Sequence, residues 1–198
     1  MELNEMQLDG LREIANIGSG TAATALSSML GRSVDLNVPT ALALALADAV
    51  DSVGAPDDDV TAVVLGVVGD LDATVVLLFD PKSAATICSL LGVDPADSEM
   101  ALSALAEVGN ILGSSYIGAM SQMAGLEIEP MPPAAVADML GAIVATALAT
   151  TAVDTDFALL LDSQMVVEDA ECSFGVLFVP SAAGVGRLLA GLGLAEAA

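Results

Sequence analysis

Histidine and tryptophan are absent from this chain of 198 residues, aromatic side chains make up only 3% of it, and lysine and arginine together number 4. Each shortage removes a class of function. Without histidine there is no Ser-His-Asp triad and no Cys/His metal site, and the S-x-x-K and G-x-S-x-G hydrolase patterns are missing as well. The four basic side chains, Arg12, Arg32, Lys82 and Arg187, stand against 27 acidic ones, for a formal net charge of -23. Such a chain cannot neutralise the row of phosphates that nucleic-acid binding requires, and an anionic membrane surface repels it. The two cysteines, Cys88 and Cys172, form no C-x-x-C motif, so they read as buried, reduced thiols rather than a disulfide framework. The opening MELNEMQLDG has neither a basic nor a long apolar region, so no signal peptide is expected and the location expected is cytoplasmic.

What is present in quantity is aliphatic. Hydrophobic residues reach 55%, enough to pay for the ordering of a packed fold, and the core must be built from Ala, Val, Leu, Ile and Met. The acidic excess with so little lysine resembles the composition of proteins from salt-loving organisms, in which ionic strength screens self-repulsion. Low salt is therefore expected to destabilise the fold. Pro132 to Val153 is long enough for a membrane span, but it carries Asp138, which near the middle of a span costs about 2.5–3.5 kcal/mol. It reads instead as a strand followed by a short helix.

An internal repeat organises the chain. LDGLREIANIGSGTAATALSSMLG (Leu8 to Gly31) aligns without a gap on LSALAEVGNILGSSYIGAMSQMAG (Leu102 to Gly125). Asp9 falls on Ser103, Glu13 on Glu107, Asn16 on Asn110, and the match continues from Pro39 to Pro133. Apolar residues at helical spacing make each stretch a helix. Asp9 and Ser103 are placed to accept from unpaired N–H groups near its start, Gly31 and Gly125 end it, and the small residues in its middle point to close backbone packing. A strand should follow each helix, near Ser33 to Val38 and Leu126 to Met131. Alternation then predicts two hairpins, Val60 to Val68 with Asp72 to Phe79, and Phe157 to Val167 with Ser173 to Val179. A short helix begins near Pro81 and another near Pro180. The expected fold is α/β of the α+β type: one domain over 1–198, made of two pseudo-symmetric halves (about 1–95 and 96–198) sharing an antiparallel sheet, with the long helices packed on it.

Glu13 and Asn16 are three positions apart on a helix and so share a face; Glu107 and Asn110 repeat the arrangement, with Asp9 and Ser103 one turn earlier on the same faces. Asparagine offers a donor and an acceptor on a short, stiff side chain and can orient a water for in-line attack without changing charge. Phosphoryl transfer depends chiefly on such positioning. The glutamate can dock a partner lysine or, less favourably, act as a general base. Other features are weaker: Asn16 to Gly20, NIGSG, lacks the order and the lysine of a phosphate loop, and Asp57 to Asp59 read as solvated carboxylates rather than a calcium site.

The pattern Asp/Ser-x3-Glu-x2-Asn-x22-Pro, present as Asp9, Glu13, Asn16, Pro39 and again as Ser103, Glu107, Asn110, Pro133, resembles the signature of the CheC, CheX and FliY phosphatase family. Two complete copies and the lack of an additional domain favour a CheC-type member. The resemblance implies a chemotaxis enzyme that removes the aspartyl phosphate from a CheY-like response regulator, with the two Glu/Asn pairs as its functional residues. It implies no cofactor of the chain's own, Mg2+ being supplied by the receiver, and CheD as a further partner. The alternative it leaves open is a non-catalytic adaptor that sequesters CheD or CheY.

Overall fold

The computed structural model describes residues 3–149, 157–168 and 170–195. In chain order these form α1 (Glu5–Leu30), β1 (Val34–Ala45), α2 (Leu46–Val53), β2 (Asp59–Gly69), β3 (Ala73–Phe79), α3 (Pro81–Leu90), α4 (Ser98–Ala124), β4 (Ile128–Pro130), β5 (Ala134–Met139), α5 (Leu140–Ala149), β6 (Phe157–Val167), β7 (Ala170–Pro180) and α6 (Ala182–Gly191). The second half repeats the first, with β4 and β5 standing where the first half has the single strand β1.

The seven strands make one antiparallel sheet in the order β1-β6-β7-β3-β2-β4, with β5 also paired to β2. The halves exchange strands. β1 of the first half pairs with β6 of the second, Val34 opposite Val167 and Ala45 opposite Phe157. In return β5 pairs with β2, Asp59 opposite Met139 and Val64 opposite Ala134. The hairpins β2–β3 and β6–β7 meet where β3 pairs with β7, so the pseudo-two-fold axis passes between two adjacent antiparallel strands and stands perpendicular to the sheet. All seven positions of β3 are buried, as expected of a central strand covered on both faces.

The two edge strands are interrupted at matching places. In β1 the pairing with β6 shifts between Asn37 and Thr40, a stretch that contains Pro39. Pro132 and Pro133 separate β4 from β5. Proline has no N–H for the ladder, which confines it to edges and irregularities.

Helices cover both faces. α1, α3 and α4 share the larger core with one face of the sheet, where Leu26, Leu65, Leu77, Phe79, Leu112 and Ile117 are fully buried. α5 packs Leu140, Ile143 and Val144 against Ala62, Val76, Leu160 and Leu177 on the other face, joined there by Ala49 of α2. Burying each large aliphatic or Phe side chain is worth about 1.5–3 kcal/mol. The ion pairs Arg12–Asp9 and Arg32–Glu168 are both exposed and worth about 0–1 kcal/mol each. Packing, not charge pairing, therefore holds this fold.

The stretch Pro132 to Val153 is β5 followed by α5, as its sequence suggests, up to the limit of the described residues. No helix among the described residues is long and apolar enough to cross a membrane. Cys88 and Cys172 are free and buried. Burial pushes both thiols up; for Cys172 the nearby Asp80 and Glu171 carboxylates add to this and take it to about 11.

Candidate functional site

The helices that carry the Glu/Asn pairs begin earlier than the repeat suggests. α1 is capped by Asn4, whose side chain accepts from the Gln7 N–H at 3.0 Å while Gln7 Oε1 accepts from the Asn4 N–H at 3.0 Å, a reciprocal capping box. The Asp97 side chain accepts from the Met100 N–H at the start of α4. The expectation that Asp9 and Ser103 serve these termini is thus corrected. Asp9 lies in the second turn, and its carboxylate takes a 2.8 Å ion pair with Arg12; Ser103 lies inside α4, exposed. Both helices gain extra N-terminal turns because better acceptors stand upstream, with free N–H groups in reach. Their other ends are as expected: Gly31 and Gly125 follow them at φ 64, the left-handed region where glycine is unstrained.

Helical spacing then fixes which side chains face outward. On α1 the buried stripe includes Leu11, Ile14, Ala15, Gly18, Ala22 and Leu26. Asp9, Arg12, Glu13, Asn16, Ile17 and Gly20 lie on the solvent side. On α4 the buried stripe includes Leu105, Val108, Leu112, Tyr116 and Met120, leaving Ser103 and Glu107 exposed and Asn110 half-buried. Each carboxylate–amide pair therefore sits on the side of its helix away from the core. They differ in surroundings: Ser114 Oγ lies 3.5 Å from Asn110 Oδ1, at the limit of a hydrogen bond, whereas the position corresponding to Ser114 on α1 is Gly20. Pro39 and Pro133, the remaining motif residues, belong to the sheet edges and shape the backbone there.

α1 and α4 pack against each other. Because they are related by an axis perpendicular to the sheet they lie on, they run antiparallel, and the two pairs fall on opposite sides of their crossing. The contact is tight. A Cβ on Gly18 would stand 2.6 Å from Tyr116 Cδ1 and 3.0 Å from its Cα, so glycine is required for this approach. Here the small residues of the repeat do serve close packing. Gly20 differs: a Cβ there meets nothing within 4 Å. The Tyr116 hydroxyl lies 3.0 Å from Ser19 Oγ, both buried. Burial pushes the Tyr116 phenol up, offset in part by the hydroxyls of Ser19 and Ser163. Ser163 Oγ itself is buried without a hydrogen bond of sound geometry. Sequence reasoning did not anticipate this polar contact, since Ser19 and Tyr116 do not occupy equivalent repeat positions.

No group of three or more acidic or cysteine side chains placed to hold a metal ion occurs among the described residues. What the site offers is a carboxylate and an amide, twice, on convex helical faces. That suits docking on another macromolecule better than enclosing a small substrate, which takes a concave, largely apolar pocket.

The fold is one found in flagellar and chemotaxis proteins. It matches the crystal structure of Thermotoga maritima FliY with a TM-score of 0.78 over 99% of this chain and 100% of that one, at 23% identity. It also matches a CheX–CheY–BeF3–Mg2+ complex from Borrelia burgdorferi with a TM-score of 0.53 over 84% and 96%, at 16% identity. In sequence, the chain is 32% identical over 170 residues to the CheY-P phosphatase CheC of Bacillus subtilis (strain 168), covering 82% of this chain and 81% of that one. The CheC-like family model matches residues 6–42 and again 100–137, the helix and edge strand of each half. The chain belongs to the CheC-like family.

Proposed function

We propose that this protein is a phosphatase of chemotaxis that hydrolyses the aspartyl phosphate of a CheY-like response regulator, acting as one domain of two repeats with a Glu/Asn pair on each. The observation that carries the reading is the repeated outward presentation of Glu13/Asn16 and Glu107/Asn110 in a chain 32% identical to a CheY-P phosphatase.

The chemistry asks little of the chain beyond placement. Glu13 or Glu107 pairs with a basic group on the receiver and fixes the register of docking. The amide of Asn16 or Asn110 enters the receiver's site, where its oxygen accepts a hydrogen bond from one water and its NH2 donates to an oxygen beside it, holding that water in line with the phosphorus. The water oxygen bonds to phosphorus as the bond from phosphorus to the aspartyl oxygen breaks. The electron pair of that bond returns to the aspartate carboxylate, and both of the water's protons leave with inorganic phosphate as dihydrogen phosphate. Mg2+ belongs to the receiver in this scheme, as does the phosphorylated aspartate. The absence of any need for a strong base agrees with a site that has no histidine.

The test is phosphate release from a phosphorylated CheY-like receiver. Asn16→Ala together with Asn110→Ala is expected to bring release down to the receiver's own rate while circular dichroism and receiver binding persist; undiminished turnover would overturn the assignment. An adaptor role, sequestering CheD or CheY without hydrolysis, finds support in the apolar side chains Val136 and Met139, exposed on β5. It predicts binding of the partner with no stimulation of release by the unmutated protein.

A further inference from the structure

The two sites carry their charge differently: α1 has the ion pair Asp9–Arg12 where α4 has the neutral Ser103 and Ala106. Of the four basic residues, Arg32 pairs with Glu168 at 3.3 Å, Arg187 donates to the Asp70 carbonyl, and Lys82 opens α3. Arg12 alone lies on the outer face of a site-bearing helix, beside Glu13 and one turn before Asn16. α4 contains no basic residue at all, and Ala106 stands where α1 has Arg12.

Arg12 is held but not consumed. Its side chain is 51% exposed, and Nη1 meets Asp9 Oδ1 at 2.8 Å. A guanidinium has five N–H donors in a planar fork suited to carboxylate and phosphate oxygens, so one contact leaves most of them free. An exposed pair of this kind is worth little and can be exchanged. The surrounding chain carries a net charge of -23, so an anionic phosphoryl group approaching either helix is repelled. In molar salt the screening length falls to about 3 Å. Long-range steering then disappears, and only a cation in direct contact can offset the charge of the arriving group.

We propose that Arg12 is a docking and positioning residue of the α1 site: it turns from Asp9 to the anionic face of the phosphorylated partner as Asn16 enters, and the α4 site, lacking a counterpart, is the slower of the two. This rests on the phosphatase reading above. The bland alternative is that Arg12 and Asp9 only brace the surface of α1.

The experiment uses the full chain at molar salt with a phosphorylated receiver, in two backgrounds: Asn110→Ala, which leaves the α1 site, and Asn16→Ala, which leaves the α4 site. Arg12→Gln is expected to lower kcat/KM about tenfold in the first background, the scale of one charge-assisted contact, acting mainly on KM, with a loss at least about fivefold smaller in the second. Arg12→Lys restores part of it. Asp9→Asn, which frees Arg12, raises the activity of the α1 site, whereas a bracing pair would make Asp9→Asn and Arg12→Gln behave alike. Ala106→Arg in the Asn16→Ala background raises the activity of the α4 site and decides the matter if Arg12→Gln fails to fold. Equal losses in both backgrounds, Asp9→Asn copying Arg12→Gln, or no gain from Ala106→Arg would overturn the proposal. Activity that survives loss of both asparagines would instead reject the phosphatase reading itself.

Discussion

The Tyr116 hydroxyl on α4 lies 3.0 Å from Ser19 Oγ on α1, and the same ring fills the space that Gly18 leaves by having no side chain. One aromatic residue thus sits where the two helices that carry the Glu/Asn pairs approach most closely and bridges them. Removing its hydroxyl leaves the Ser19 hydroxyl buried and unpaired. Tyr116→Phe is therefore expected to destabilise by about 1–3 kcal/mol, read as a lower denaturant midpoint with unchanged slope. A variant as stable as the parent would show that the bond contributes nothing net.

Two glycines on α1, two positions apart, should respond in opposite directions. Gly18→Ala drives a methyl to within 2.6 Å of Tyr116 and should lower stability by about 1–3 kcal/mol, the usual range for overpacking. Gly20→Ala meets open space and should raise it by up to about 1 kcal/mol through helix propensity alone. Gly20 follows Asn16 by one turn on the outward face, so the stabilised variant should stimulate receiver dephosphorylation less. Unfolding curves and phosphate release measured on the same samples check both halves; equal stability of the two variants would contradict the packing described.

Salt should stabilise. With 27 acidic against 4 basic side chains, self-repulsion opposes the compact state and is screened as ionic strength rises. The expected result is a Tm that climbs by several degrees from dilute buffer to molar KCl. A Tm independent of salt would mean that the charges are spaced widely enough not to matter.

Stability should fall at both ends of the pH range, for different residues. Burial pushes the Asp80 carboxyl up, but hydrogen bonds from the Ser83 hydroxyl and from the N–H groups of Ser83 and Lys82, with the Lys82 charge, outweigh it and hold it below its ordinary value. That contribution is present above the ordinary carboxylate range and is lost as pH falls through the lowered value. Cys172 is pushed up to about 11. The unfolded chain releases this proton first, so stability declines as pH rises from the ordinary thiol value through about 11. Tm against pH is the measurement: Asp80→Asn should flatten the acid limb and, by removing a charge that raises Cys172, also ease the alkaline one, whereas Cys172→Ala should flatten the alkaline limb alone. Limbs unchanged in these variants would place the effect elsewhere.

Much of the site was legible without coordinates because a helix converts spacing directly into direction. Glu13 and Asn16 share a face by arithmetic, and the apolar stripe from Leu11 to Leu26 says which face is inward. The helix starts were misjudged for a local reason. Asp9 is a good capping residue, but so is Asn4, and the Gln7 that completes its capping box is recognisable only once the helix is known to begin there. The first edge strand runs on to Ala45, beyond the end expected near Val38, because Pro39 marks only an irregularity in the ladder; the strand after Pro133 is where its sequence suggests.

Periodicity and repetition along the chain were enough to determine the elements, the doubling of the fold and the two outward carboxylate–amide pairs, since each depends on residues within a few turns of one another. Only the tertiary structure decided that β1 and β5 cross to the opposite half's hairpin and that Tyr116 sits against Gly18 and Ser19. Those facts join residues far apart in sequence, and such contacts are selected by how two surfaces fit, a quantity that no local pattern encodes.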